Sequence, residues 1–151
     1  MTGQSVVVVI GSAALALLAL GCTGRSPTGP EAPAATLTGT WQGPVEESYG
    51  GRGRLRLSIE QTAFALGGTF ALTFDDGSRN RTGMIGGSIG VPPVAQRMQL
   101  TSSGGLPCEP GQSPESFLVL TWSRSGDRLS GQYDGFGCLG TITGTFTVTR
   151  E

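Results

Sequence analysis

Residues 129–146 read LSGQYDGFGCLGTITGTF. Two copies of one pattern, apolar-x-Gly-x-aromatic, stand at 129–133 and 142–146, joined by a glycine-rich link. In an extended strand, residues i, i+2 and i+4 share a face, so Leu129, Gly131 and Tyr133 point one way. A glycine on a buried face removes a side chain where a sheet must bend sharply, and a neighbouring aromatic covers the gap. The same pattern recurs as LTGTW at 37–41 and LGGTF at 66–70, with a weaker copy, IGGSI, at 85–89. Repeating the device strand after strand is what a tightly curved, closed sheet requires.

Working outward, the chain beyond residue 37 consists of short alternating runs rich in Thr, Leu, Ile, Val and Phe, separated by Gly, Pro, Asp and Ser. No helical period appears there. The expectation is all-β, with eight strands at about 38–46, 54–62, 66–74, 81–91, 95–102, 116–124, 128–135 and 140–149. Asp75-Asp76-Gly77 and Ser125-Gly126-Asp127 are hairpin turns, and Val91-Pro92-Pro93-Val94 punctuates the chain between strands four and five. Short links make an antiparallel up-and-down barrel the simplest arrangement, since closure removes exposed edges. A two-sheet sandwich is the alternative.

Composition narrows the function classes. Ten basic residues balance eleven acidic ones, every basic residue is Arg, and the chain has no Lys and no His. A near-neutral balance without a basic cluster argues against nucleic acid as a partner. Without His, neither a Ser-His-Asp nor a Cys-His arrangement can be built, and the commonest metal ligand is missing. The adjacent carboxylates Glu46-Glu47 and Asp75-Asp76 point to opposite faces of a strand, which makes them poor acid/base partners. Asp75-Asp76-Gly77 also lacks the further carboxylates of a calcium loop. The expectation is a protein that is not an enzyme, with no cofactor and no metal.

The N-terminal part has a different texture. Residues 6–20, VVVVIGSAALALLAL, carry no charge and are followed by Gly21-Cys22. As a helix, fifteen residues span about 22 Å, short of the roughly 30 Å hydrocarbon core, and the length suits a signal-peptide core instead. The run ending Ala19-Leu20-Gly21-Cys22 resembles the signal peptide of a bacterial lipoprotein. The resemblance implies cleavage before Cys22 and acyl chains such as palmitate on that residue. The protein would then sit lipid-anchored in the bacterial cell envelope, at the outer membrane, facing the periplasm or the surface. The alternative is a plain secretory peptide and a secreted soluble protein. Residues 1–21 are read as the leader, 22–36 as a lipidated, proline-containing tether (Pro27, Pro30 and Pro33 among small or polar neighbours), and 37–151 as the barrel domain. Three cysteines leave one to explain in an exported protein. Acylation of Cys22 leaves Cys108 and Cys138 to form a disulfide, which an oxidising compartment maintains; two free thiols are the other reading.

The Gly-Thr-Trp of the first strand, residues 39–41, followed by a meander with Leu-x-Gly-x-Tyr steps, resembles the calycin-type barrels, the lipocalins and avidin-like proteins. The resemblance covers roughly residues 37–150 and implies the fold. Avidin-like proteins line their biotin pocket with several tryptophans; this chain has two, Trp41 and Trp122, so biotin binding does not carry over.

In an up-and-down meander, links after odd-numbered strands share one end. Those links, 47–53, 75–80, 103–115 and 136–139, are longer than the even ones around 63–65, 92–94 and 125–127. They also contain both Cys108 and Cys138. That end is the expected binding face, with Glu46, Glu47, Tyr49, Asp75, Asp76, Arg79, Leu106 and Phe136 on its rim. Asp75 and Asp76 read as turn formers, Glu46 and Glu47 as a solvated strand end. Expected inward residues are Trp41, Leu57, Ile59, Phe70, Leu72, Ile85, Met98, Leu100, Leu120, Trp122, Tyr133, Ile142 and Phe146, more simply a filled core than a ligand chamber. Trp41, Tyr49, Trp122 and Phe136 are the candidate ligand contacts. Three functions fit: a non-catalytic binding module for a small apolar ligand or a protein partner, an envelope structural or assembly protein that uses its outer surface, and an inhibitor of an exported hydrolase.

Overall fold

The computed structural model describes residues 36–77, 79–90, 95–104 and 106–151. The leader, Cys22, all of the tether but Thr36, and Val91-Pro92-Pro93-Val94 lie outside them. Eight antiparallel strands follow in order: β1 (Gly39–Glu47), β2 (Gly51–Thr62), β3 (Ala65–Phe74), β4 (Arg81–Ser88), β5 (Gln96–Ser102), β6 (Ser116–Ser125), β7 (Arg128–Gly137) and β8 (Gly140–Arg150). Each pairs with its sequence neighbours, and β1 pairs with β8, so the sheet closes into a barrel. The closing pair rules out the sandwich.

Strand alternation sorts the side chains. Leu55, Leu57 and Ile59 of β2 face in, while Arg54, Arg56 and Ser58 face out. Residues from all eight strands meet in one apolar cluster, and every inward residue expected from the sequence belongs to it. Glycine makes the curvature sterically feasible. A Cβ at Gly68, whose φ is +131°, would stand 1.9 Å from the Ser58 carbonyl oxygen on β2. Aromatics cover the vacated inner face from the neighbouring strand: Phe74 lies over Gly53, Phe70 over Gly83, and Tyr133 over Gly144.

Several boundaries differ from expectation. β2 begins at Gly51 and not near 54, because Gly51–Gly53 continue the ladder opposite Val45–Glu47; the glycines suggest a loop, yet Gly53 here admits the close approach of the Thr73 carbonyl of β3. β7 runs on to Gly137, paired with Gly140. β4 stops at Ser88, where the Gln96 side chain takes over the backbone pairing: Gly90 N–H donates to its Oε1 (3.1 Å) and its Nε2 donates to Gly90 O (2.8 Å). The even links at 63–64 and 126–127 are two-residue turns, whereas the link 89–95 between β4 and β5 is seven residues long.

The even-link end is closed by Trp41, which is fully buried and donates its indole N–H to Leu37 O at 2.8 Å. The guanidinium carbons of Arg150 and Arg124 stand 4.7 and 5.5 Å from its ring centroid, within cation–π range. Both arginines donate to Thr36 O, tying the entering chain to that end.

Candidate functional site

The odd-link end gathers the chemistry. The links 48–50, 75–80, 103–115 and 138–139 lie there together, and Cys108 and Cys138 form a disulfide with Cα atoms 5.6 Å apart. The bridge ties the long 103–115 link to the β7–β8 turn. Leu106 of that link is buried, and its side chain occupies the space beside Gly137.

Beneath this cover the interior is polar. Glu47 and Arg81 face inward, their side chains wholly buried, and form an ion pair through Arg81 Nη2 and Glu47 Oε2. The expected solvated strand end therefore holds for Glu46, which is exposed, and fails for Glu47, which shares the inward face of Trp41 and Val45. Tyr133 O–H donates to the same Glu47 oxygen at 2.9 Å. The glycine at 144 lets the Tyr133 ring lie where a Cβ would meet its Cζ at 2.3 Å. Burial, then the adjacent carboxylate, then that hydrogen bond push the Tyr133 phenol well above its ordinary value, with Arg81 acting against them. Ser102 and Ser116 share a buried hydrogen bond at 2.7 Å, and the Arg81 guanidinium lies 5.6 Å from the Phe74 ring centroid. Glu47 Oε1 and Arg81 Nε and Nη1 have no partner among the described residues. The group is a buried ion pair with a phenol donating to its carboxylate.

The four candidate contacts do not converge. Trp41 and Trp122 are inward residues near the even-link end, 0% and 7% exposed. Tyr49 and Phe136 are 38% and 64% exposed at the odd-link rim, where Arg79 packs over Tyr49 and Phe117 lies 6.2 Å from Phe136, centroid to centroid. The remaining rim residues divide likewise: Asp75 and Asp76 are exposed in the β3–β4 turn, and Arg79 is partly covered. Among the described residues no group of three or more His, Cys, Asp or Glu could hold a metal.

Glu47 and Arg81 were absent from the inward residues expected from the sequence, although strand parity carries the signal. Arg81 lies four residues before the inward Ile85, and Glu47 six after Trp41. Charge at a strand end suggests solvent; parity says interior, and here parity prevails because a partner stands opposite.

Several open hollows mark the outer wall of the described residues. One of about 600 Å³ lies over β8, between Glu46 and Ser48 on one side and Gln132 and Asp134 on the other. Another of about 440 Å³ lies beside Pro44, Arg52, Arg54 and Asp75. No protein-family model matches the chain, and no curated protein matches it. A solved structure described as a redesigned beta barrel is similar to it at 20% identity and a TM-score of 0.43, over 76% of this chain and 91% of that one.

Proposed function

We propose that the protein is a non-catalytic binding module, carried on a lipid tether in the bacterial envelope, that works through its outer wall and disulfide-tied rim. The observation that supports this is the packing of the interior. An empty ligand chamber would leave accessible area on the side chains lining it, whereas Trp41, Leu57, Met98, Leu120, Leu129, Ile142 and Val148 retain none. That favours surface recognition over an apolar ligand held inside the barrel. The calycin-like reading then concerns the wall and loops of the fold and carries no internal ligand with it.

Acylation of Cys22 supplies the anchor. The Cys108–Cys138 bridge suits an oxidising compartment and leaves Cys22 as the third thiol. Replacing Cys22 with Ser in the full chain should move the protein from the membrane to the soluble fraction; retention on membranes would refute the anchor. For the binding role, native mass spectrometry of protein purified from its host should find no apolar small molecule, and photo-crosslinkers at residues 132 and 136 should capture a ligand or partner in cells. A stoichiometric apolar ligand, with no crosslink from the wall, would reverse the assignment in favour of a carrier.

A further inference from the structure

The hollow over β8 has a lining specific enough to name a ligand class. Its floor is Thr143, Gly144 and Thr145, and its walls are Glu46 and Ser48 of the β1 end and Gln132 and Asp134 of β7. Register holds these residues together: Gln132 pairs with Thr145, Asp134 with Thr143, and Glu46 with Thr145 from the other side. The wall is backbone-rigid, since Ser48 N–H donates to Thr143 O at 2.8 Å and Thr143 N–H donates to Ser48 Oγ at 3.2 Å.

Three features point the same way. Of the three acidic residues along the hollow, Glu46 and Asp134 are exposed and Glu47 turns its side chain inward to Arg81; no cationic residue lines it, which disfavours phosphate, sulfate or any carboxylate ligand. The remaining outward side chains of the lining, Ser48, Gln132, Thr143 and Thr145, are hydroxyl and amide, donors and acceptors together, suited to a ligand that offers both. Two exposed aromatics stand beyond the hollow's lining, toward the β7–β8 turn: Phe136, beside Phe117 of β6, lies two residues along β7 from Asp134, and Tyr49, with Arg79 over one face, has its hydroxyl near Gly140. An aromatic face beside a row of polar groups matches a pyranose ring, with its apolar C–H face and its rim of hydroxyls. The hollow, about 600 Å³, is open to solvent along the wall, so a sugar chain can lie along it without entering the barrel.

We infer that this outer-wall groove binds a neutral saccharide, with Gln132, Asp134 and Glu46 hydrogen-bonding the hydroxyls and Phe136 stacking on a ring face. The inference rests on the surface-binding reading above and names its ligand class. β8 extends the polar track beyond the hollow: Thr141, Thr143, Thr145, Thr147 and Thr149 occupy its outward positions, so a glycan longer than the hollow meets more hydroxyls along the same strand.

The test is calorimetric titration of detergent-solubilised full-length protein with neutral oligomers of glucose and of N-acetylhexosamine, alongside a basic oligolysine peptide. Binding of one oligosaccharide class is expected, weakened about tenfold or more in each of Gln132→Ala and Phe136→Ala. It should be nearly unchanged between about 50 and 500 mM salt, because no ion pair forms. Both substitutions are at outward positions, so an unchanged melting temperature should accompany the loss. Salt-sensitive binding of oligolysine in place of sugar would overturn the inference in favour of a cationic ligand. No sugar binding, or binding indifferent to both substitutions, would overturn it outright. Crosslinks at 132 and 136 that persist in that event would leave the surface-binding reading standing, and their absence would remove both.

Discussion

Glu47 and Arg81 pose the sharpest energetic question at the scale of single residues. A buried ion pair gains Coulomb energy in a poorly screening interior but loses the hydration of both ions, so the pair contributes little net stability while each member depends on the other. Arg81→Met leaves the Glu47 carboxylate buried without its counter-charge and should cost about 3–5 kcal/mol. The double variant Glu47→Leu/Arg81→Met removes both charges and should recover most of that loss, as read by denaturant unfolding at neutral pH. Equal destabilisation of single and double variants would mean that the pair itself stabilises the barrel. Tyr133 adds a pH signature. Its folded phenol ionises above the value near 10 that it has when unfolded. Above about pH 10 the unfolded state therefore binds fewer protons than the folded one, and stability falls as pH rises; below that the phenol makes no pH-dependent contribution. In a Tyr49→Phe variant, where Tyr133 is the one remaining tyrosine, tyrosinate absorbance should rise together with loss of the barrel's circular dichroism. A tyrosinate step in the folded protein near pH 10 would contradict the buried Tyr133–Glu47 contact.

Strands were legible because their chemistry is local. Alternation marks faces, Asp-Gly and Gly-Asp mark turns, and the repeated glycine marks curvature, so element order and the main apolar inward residues follow from the sequence. What local reading misjudged was the meaning of glycine at 51 and 53, which continue β2 against β1 instead of forming a loop. Glycine looks the same in sequence whether it frees a turn or admits a neighbouring backbone. The LGGTF motif separates the two uses experimentally. A Cβ at Gly67 meets nothing within 4 Å, whereas at Gly68 it collides with the Ser58 carbonyl from a positive-φ position. Gly67→Ala should be tolerated, and Gly68→Ala should destabilise by about 1–3 kcal/mol or prevent folding. Thermal melts of the two variants decide it, and similar melting temperatures would show that β3 does not bend there.

For the molecule as a whole, closure and the disulfide act on different states. Closure pairs β1 with β8 and leaves no free edge, a property of the folded form. The Cys108–Cys138 bridge, 30 residues apart, chiefly restricts the unfolded chain, and the loop-entropy relation puts its contribution at about 3–4 kcal/mol. Paired Cys108→Ser and Cys138→Ser replacements should lower the unfolding free energy by about that amount without opening the barrel; an unchanged denaturation midpoint would mean that the bridge stabilises nothing.

Fold class, strand order, the main apolar inward residues and the end carrying the cysteines were determined by sequence alone, because each follows from alternation, turn chemistry and the counting of links. The Glu47–Arg81–Tyr133 network, the separation of Trp41 and Trp122 from Tyr49 and Phe136, and the groove over β8 were decided only by the tertiary structure. Each depends on which residues stand opposite one another across a closed sheet. That register is set by pairings between segments as far apart in sequence as Trp41 and Arg150, and no local stretch of chain encodes it.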